Sequence, residues 1–470
     1  MSGADAKLSE FTIPGDVRVV VPADPTLLTP FVLDEQGDWF ESEIHFVRRL
    51  LRPGMAVVDI GANYGFYTLT SARLVQAEGR VWSYEPGSLP RGCLARSISA
   101  NRFDQVRLSE KALSDHVGSA RLGIASNAEL NSLNDQGVAG EIVPLTTLDE
   151  ESKGWDRSID FLKLDAEGEE IRILKQAEHF FAKHDPLVMF ECRHATAVNH
   201  ELIQAFQGLG MSLHRHLPGL NMLVPLETSD IEMPFLLNVF ACRPSLAALL
   251  QEQNLLIAAP AQLPKPSADE AGRVVHEWIQ RRPWTNTIWP AGRPAHDLPG
   301  NDINVCAIAD AIAGDDPQRS AAERWALQRR SYAGFKRAIE IHPTMARFFS
   351  ASRAAMELGD RFNSAGLLGH TGKALSSGQI DPSAHFREAF LPPHRRHDAL
   401  APGSASPAML IQIMNDEPFI ERSYFSSYFA PDKLYPLLQK ISANPLCSTE
   451  MKRRLAAMEK ANQFLVRNPR

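Results

Sequence analysis

MAVVDIGANYGFYTL, from Met55 to Leu69, decides the fold. An apolar, β-branched run ends in Asp59, a short turn carries Gly61 and Gly65, and an aromatic-rich helical pattern follows at once. In a doubly wound α/β sheet, ligands bind beyond the carboxyl ends of the strands, and the first strand-to-helix turn comes closest to them. Glycines there permit positive φ and let backbone approach a ligand. Asp59 is placed to order the loop, Ala62 to offer backbone, and Asn63 to hydrogen-bond. Outward from this stretch, between about Phe31 and Arg243, β-rich runs alternate with helical patterns, the rhythm of a parallel sheet covered on both faces. The strands expected are Ala56–Ile60, Val81–Tyr84, Val106–Leu113, Phe161–Leu164, Leu187–Phe190 and Leu236–Ala241.

The order of small residues in the turn narrows the ligand. A dinucleotide fingerprint runs G-x-G-x-x-G, its second glycine making room for a pyrophosphate. Here the order is G-A-N-Y-G, with no third glycine. An adenosine-type ligand with an amino-acid tail and no phosphates fits better. Glu85 ends the second strand in VWSYEP, at about the twenty-residue distance where a carboxylate accepts both ribose hydroxyls. Asp59, Gly61, Ala62, Asn63, Gly65 and Glu85 together describe a site for S-adenosylmethionine. The plainer alternative is a tight turn beside a solvated strand end.

VVDIGANYGFYTL, VWSYEP, KALSD, TTLDE and DFLKLDAEGEEIRILKQA, in that order, resemble the FkbM-type family of S-adenosylmethionine-dependent methyltransferases, over about Trp39 to Arg243. The resemblance implies a class I, Rossmann-like domain with a seven-stranded, mostly parallel sheet and a reversed last hairpin. It also implies methylation of hydroxyl groups, often on glycans or secondary metabolites. In that fold Lys111 and Ala112 fall where the third strand passes the adenine, with contacts through backbone. The departures are Lys111 itself, where an apolar residue is usual, and Arg193-His194 after the fifth strand.

A hydroxyl acceptor must lose its proton, which calls for a base within hydrogen-bond reach or a metal that acidifies the hydroxyl. Asp165 ends the fourth strand beside the switch point and Glu167 follows it. These two are the first candidates for orienting or deprotonating the acceptor, and Asp165 also borders the cofactor. Structurally, Asp165 would order the turn and Glu167 would complement a helix N-terminus. Glu191 and His194, just past the fifth strand, are the next candidates, His194 because imidazole titrates near neutrality. Asp165, Glu191 and His194 could instead hold Mg²⁺ or a transition metal, but no adjacent ligand motif supports this and no metal is expected. Cys192 reads as a packing residue. His214 and His216 alternate on a strand and share a face, which would suit the rim of an acceptor site.

The chain of 470 residues is 44% hydrophobic and 22% charged, an ordinary globular composition with room for two or three domains. Its net charge of -7 supplies no general basic field, so nucleic acid is not an expected partner. Five scattered cysteines suggest reduced thiols in the cytoplasm, and neither a signal peptide nor a membrane span is apparent. The expected division is an N-terminal extension over 1–30, the methyltransferase domain over 31–245, a proline-rich linker over 246–300 and an α-helical domain over 301–470. Trp325 to about Leu375 has the form of one tetratricopeptide-like pair, without a second copy at a fixed period. The function expected is O-methylation of a hydroxyl-bearing small molecule or glycan, with a protein partner conceivable for the helical domain. The competing reading is a non-catalytic scaffold working through the helices. Retention of so many polar groups around the loop favours the enzyme.

Overall fold

The computed structural model describes residues 7–123, 132–133, 140–194, 197–289, 294, 296–376 and 385–468. The chain forms two compact units. One runs to His216 and takes in Leu223–Leu256 and the stretch from Glu459; the other comprises Leu217–Met222 and Ile257–Met458.

The first unit is built on strands β1 (Ala56–Ile60), β2 (Arg80–Tyr84), β3 (Val106–Ser109), β4 (Phe161–Leu164), β5 (Leu187–Glu191), β6 (Ser212–Leu217), β7 (Met222–Pro225) and β8 (Asn238–Cys242). Their order across the sheet is β7-β6-β8-β5-β4-β1-β2-β3. β1 pairs in parallel with both β4 and β2, and β8 runs antiparallel between β5 and β6. All five residues of β1 are buried, as a strand covered on both faces requires. Alternation sorts them: Val57, with Phe161, Met189 and Phe240, faces one core, while Val58 and Ile60, with Leu162, Leu164 and Phe190, face the other. The N-terminal hairpin Leu8–Ile13 with Val17–Pro22 puts Val19 and Val21 into the first of these cores.

Three expectations are corrected. The sheet has eight strands rather than seven, because the extended run Met222–Pro225 joins the open edge beside β6. The far side of β7 is covered where Leu223 N–H donates to Leu255 O at 2.8 Å, which blunts an otherwise exposed edge. The third strand stops at Ser109 instead of reaching Leu113. Ala112–Leu113 belongs to a separate four-stranded sheet, pairing with Gly140–Thr146, which in turn pairs with Gly118–Gly123. Finally, the proline-rich connector gives way to helix at Ser267. Its hydroxyl and Glu270 form a capping box that starts Ala268–Gln280, satisfying donors a helix start leaves open.

In the second unit, helices Asn301–Gly314, Ala321–Ile341, Met345–Glu357, Arg361–Ser376 and Pro407–Ser423 surround Trp284, Phe335, Phe349, Phe386 and Phe390. Small residues set the spacing. A Cβ on Gly334 would lie 2.8 Å from that of Ala307, so these two helices approach as closely as backbone allows. Arg347 and Glu388, both fully buried, pair at 3.0 Å between the helices and the following loop.

Candidate functional site

The registers Ile60↔Tyr84, Ile60↔Leu164 and Leu164↔Phe190 bring the loops after β1, β2, β4 and β5 to one edge of the sheet. The loop after β1 is shaped by its glycines. Gly61 has φ +75°, and a Cβ there would fall 1.7 Å from the carbonyl oxygen of Asp165; no side chain fits. Gly65, at φ +89°, precedes helix α1 (Phe66–Val75) and lies against Leu94. Asn63 also takes a left-handed φ of 50°, and its Oδ1 is buried with no hydrogen-bond partner.

Glu85 closes this loop from the neighbouring strand. Its Oε2 accepts from the backbone N–H of Asn63 and its Oε1 from that of Gly87, each at 2.7 Å. A carboxylate has about four lone-pair sites, so each oxygen keeps one for another donor. Burial raises the Glu85 pKa to about 7, against the opposing pull of the two amides. Asp59, almost fully buried, accepts from Thr68 Oγ1 at 2.6 Å, and that hydroxyl also meets Ser83 Oγ at 2.8 Å. Asp59 thereby ties the end of β1 to helix α1. Burial raises its pKa too, with Lys163 and Thr68 working the other way.

The chemistry beside this loop depends on a residue that sequence reasoning passed over. Lys163 sits in β4 with its side chain 7% exposed. Its ammonium donates to Asp165 Oδ2 at 2.8 Å, lies 3.9 Å from Asp59 Oδ1 and 3.4 Å from the Gly61 carbonyl, and sits 5.3 Å from the centre of the Tyr67 ring. Burial alone would lower its pKa; Asp165 and Asp59 outweigh that and carry it above the ordinary lysine value. The Tyr67 hydroxyl donates to Glu41 Oε2 at 2.5 Å, and burial raises the Glu41 pKa. A lysine between leucines in a buried strand was the available signal for Lys163. Glu41, in the loop before β1, carried none.

Asp165 follows β4 with its side chain 30% exposed, accessible where Lys163 is not. Glu167 occupies a left-handed turn at φ +50° ahead of helix α2 (Glu170–Lys175). The helix entry is served by Glu170, whose carboxylate accepts from Ala166 N–H at 2.8 Å and Gly168 N–H at 3.1 Å. Glu191 ends β5 half-buried. Burial, followed by the charges of Asp165, Glu167 and Glu41, pushes its pKa well above the usual carboxylate range, which favours the protonated form. Asp165, Glu167 and Glu41 thus all act on Glu191, and Lys163 acts on Asp165 and Glu41.

The remaining candidates have other surroundings. The backbone of His194 pairs with Ala197 in a short hairpin, but its side chain lies outside those described, and with it the metal alternative through Asp165, Glu191 and His194. Arg193 is buried, its guanidinium donating to the carbonyls of Ile231, Met233 and Leu236, which makes it a clamp on the chain before β8. Cys192 is buried, and burial raises its thiol to about 12, as befits a packing residue. Lys111 turns outward to Glu151 at 2.8 Å, and Ala112 is buried in the small sheet. His214 and His216 are both buried rather than on a rim: His214 Nε2 meets Ser212 Oγ at 2.9 Å and His216 Nδ1 meets Ser42 Oγ at 3.2 Å. No helix among the described residues is long and apolar enough to cross a membrane.

Residues 59–213 match the family model of the methyltransferase FkbM domain. No curated protein matches the chain. Among solved structures, methyltransferase FkbM from Methylobacillus flagellatus KT is 18% identical over 43% of this chain and 48% of its own, with a TM-score of 0.30. The match thus spans about half the length of that protein. A SAM-dependent O-methyltransferase from Thermotoga maritima is 13% identical over 48% of this chain and 73% of its own, with a TM-score of 0.26. A SAM-dependent methyltransferase from Aquifex aeolicus is 13% identical over 45% and 92%, with a TM-score of 0.25.

Proposed function

We propose that the region matched by the methyltransferase FkbM model, residues 59–213, moves a methyl group from S-adenosylmethionine to a hydroxyl on a glycan or secondary metabolite. The observation that carries the reading is the closure of the Gly61–Gly65 loop onto Glu85 directly beside the Lys163–Asp165 pair. The residues fit the cofactor. The backbone at Gly61 admits no Cβ, Asn63 Oδ1 is buried without a partner, and Glu85 keeps one lone-pair site per oxygen for two ribose hydroxyls. Gly61, Ala62, Asn63, Gly65 and Glu85 would hold it, with Asp59 ordering the loop behind them. Backbone at Lys111 and Ala112 belongs to the same proposal, on the adenine side.

When bound, S-adenosylmethionine supplies an electrophilic methyl carbon; what remains is for the protein to position an acceptor oxygen and receive its proton. Asp165 is the proposed proton acceptor. Lys163 holds one of its oxygens at 2.8 Å, which leaves the other free to face the acceptor. Glu191, neutral at pH 7, donates a hydrogen bond rather than accepting a proton, and Glu167 helps orient the acceptor. His194 stands as an alternative base. Mass spectrometry of candidate acceptors, looking for a gain of one CH₂ unit per transfer, tests the reading. Absence of calorimetric heat with both S-adenosylmethionine and S-adenosylhomocysteine would favour a scaffold instead.

Glu85 makes the cofactor reading pH-sensitive. Its ionised form accepts from both amides and both ribose hydroxyls, whereas its protonated form must spend one site as a donor. With a pKa of about 7, affinity for S-adenosylhomocysteine is expected to be full above pH 8 and about tenfold weaker at pH 6. Glu85→Gln should weaken binding by roughly 10–100-fold and flatten this dependence. Titration calorimetry across pH 6–8 reads both; an unchanged affinity in the folded variant removes Glu85 from the site.

A further inference from the structure

We propose that the helical unit contains a binding pocket for a small molecule that carries an oxyanion, carboxylate or phosphate, on an apolar body, with Arg422 supplying the counter-charge. The cavity has a volume of about 400 Å³ and is lined by Arg353, Arg395, Arg422 and Glu357, with Met356 and Pro393 among its apolar walls. Pro218 and Gly219, which also line it, belong to the same compact unit as Ile257–Met458. A volume of this order suits a small metabolite.

The three arginines are not equivalent. Arg353 is saturated by carboxylates: Nη1 donates to Asp398 at 2.7 Å, Nη2 to Asp398 at 3.1 Å and Asp315 at 3.2 Å, and Nε to Glu357 at 3.3 Å. Arg395 is bonded on two sides, through Nε to Glu357 at 2.8 Å and Nη2 to Asp315 at 2.6 Å. Its Nη1 has no partner among the described residues. Arg422 is 4% exposed, yet its partners are all neutral: Ser352 Oγ at 2.8 Å, Ser364 Oγ at 2.9 Å, and the carbonyls of Ser352 and Pro393. Among the described residues no carboxylate lies within ion-pairing distance of it.

A buried charge without a counter-ion is costly, and here the uncompensated guanidinium stands at the wall of a cavity rather than inside a packed core. Burial lowers the Arg422 pKa to about 10, only partly offset by Glu421 and Glu357. His394, on the same wall, adds no charge of its own. Its Nδ1 accepts from the Arg396 N–H at 3.0 Å, which fixes the proton on Nε2, and burial with the neighbouring Arg396 and Arg422 keeps the ring neutral. A planar guanidinium matches carboxylate and phosphate oxygens, while Met356 and Pro393 suit an apolar body. Gly219 packs tightly against the helix that carries Glu357, since a Cβ there would lie 2.7 Å from the Glu357 carbonyl.

The test is calorimetric titration of the full chain with phenyl phosphate and with benzoate, using phenol as the neutral control. Saturable binding of at least one anion, at least tenfold tighter than phenol, is expected, and the tighter of the two identifies the oxyanion class. Arg422→Gln should abolish the preference over phenol. Because that substitution is buried, Arg395→Gln and Met356→Trp serve as independent checks on folded protein, the first weakening anion binding by about fivefold or more and the second blocking it by filling the cavity. The proposal is overturned if neither anion binds saturably, if phenol binds equally well, or if anion binding survives both of the latter substitutions.

Discussion

Asp165→Asn is expected to lower turnover by about 10²–10⁴-fold, the usual contribution of general acid–base catalysis, while affinity for S-adenosylhomocysteine should stay within a few-fold. The substitution keeps the side chain's shape and leaves an oxygen for Lys163, which donates to it at 2.8 Å. What it removes is the negative charge able to take a proton from a hydroxyl. The loss therefore falls on kcat, with no comparable change in cofactor binding. Glu191→Gln is the informative companion. Burial and its carboxylate neighbours push the Glu191 pKa up; on the proposed reading it is protonated at pH 7, and glutamine reproduces a neutral hydrogen-bonding group of the same shape. Glu191→Gln should retain most of its turnover at pH 7, and the wild-type rate should show no rise centred near pH 9. If instead Glu191→Gln loses as much as Asp165→Asn, and the wild-type rate climbs through pH 9, the proton goes to Glu191.

The loop and its acidic partner were legible because their logic is local. Gly61 and Gly65 stand where positive φ is needed, and Glu85 stands at the end of the next strand, so spacing alone relates them. Lys163 was not legible in that way. Its meaning comes from the register Lys163↔Asp59 across β4 and β1, two positions more than 100 residues apart, which sets one ammonium between carboxylates from two strands. Glu41 depends on the packing of the chain before β1 against Tyr67, which no periodicity announces. The strand overrun at Lys111 has the opposite origin: the apolar pattern continues through Leu113, but Lys111 turns out to Glu151 and Ala112–Leu113 pairs in another sheet. The eighth strand was missed because its pairing depends on an edge being open beside β6, a property of the assembled sheet rather than of MLVP itself. His214 and His216 alternate along β6, but both faces of the strand are buried there, and what covers the two rings is decided by Ser42, Phe46 and Ser212 around them.

The position of Lys163 leads to the second large effect. Its side chain is 7% exposed, and it stands between Asp59, 1% exposed, and Asp165. Removing one member of a buried charge group leaves the others without compensation and costs about 3–5 kcal/mol. Lys163→Met, close in length and apolar, should therefore destabilise the first unit by an amount of that order, and it should also lower turnover because Asp165 loses the contact that orients it. The pH dependence separates this electrostatic account from a packing defect. In the wild type the folded-state pKa of Lys163 is raised, so its contribution is fully present below its unfolded value near 10.5 and is lost only as pH rises through the still higher folded value. Across pH 5–8 the wild type therefore keeps the whole of it. In Lys163→Met, Asp59 loses the cation that opposes its burial, and its folded-state pKa rises further. A raised carboxylate pKa makes stability fall as pH climbs above the unfolded value near 4, since the folded state must then give up protons it would retain. The deficit of Lys163→Met relative to wild type should accordingly be smaller at pH 5 than at pH 8 in urea unfolding, and Lys163→Arg, which restores the charge in a larger frame, should recover part of it. A deficit of equal size at both pH values would mean that Lys163 contributes through the shape of its side chain, and the charge-network account of Asp165 would fall with it.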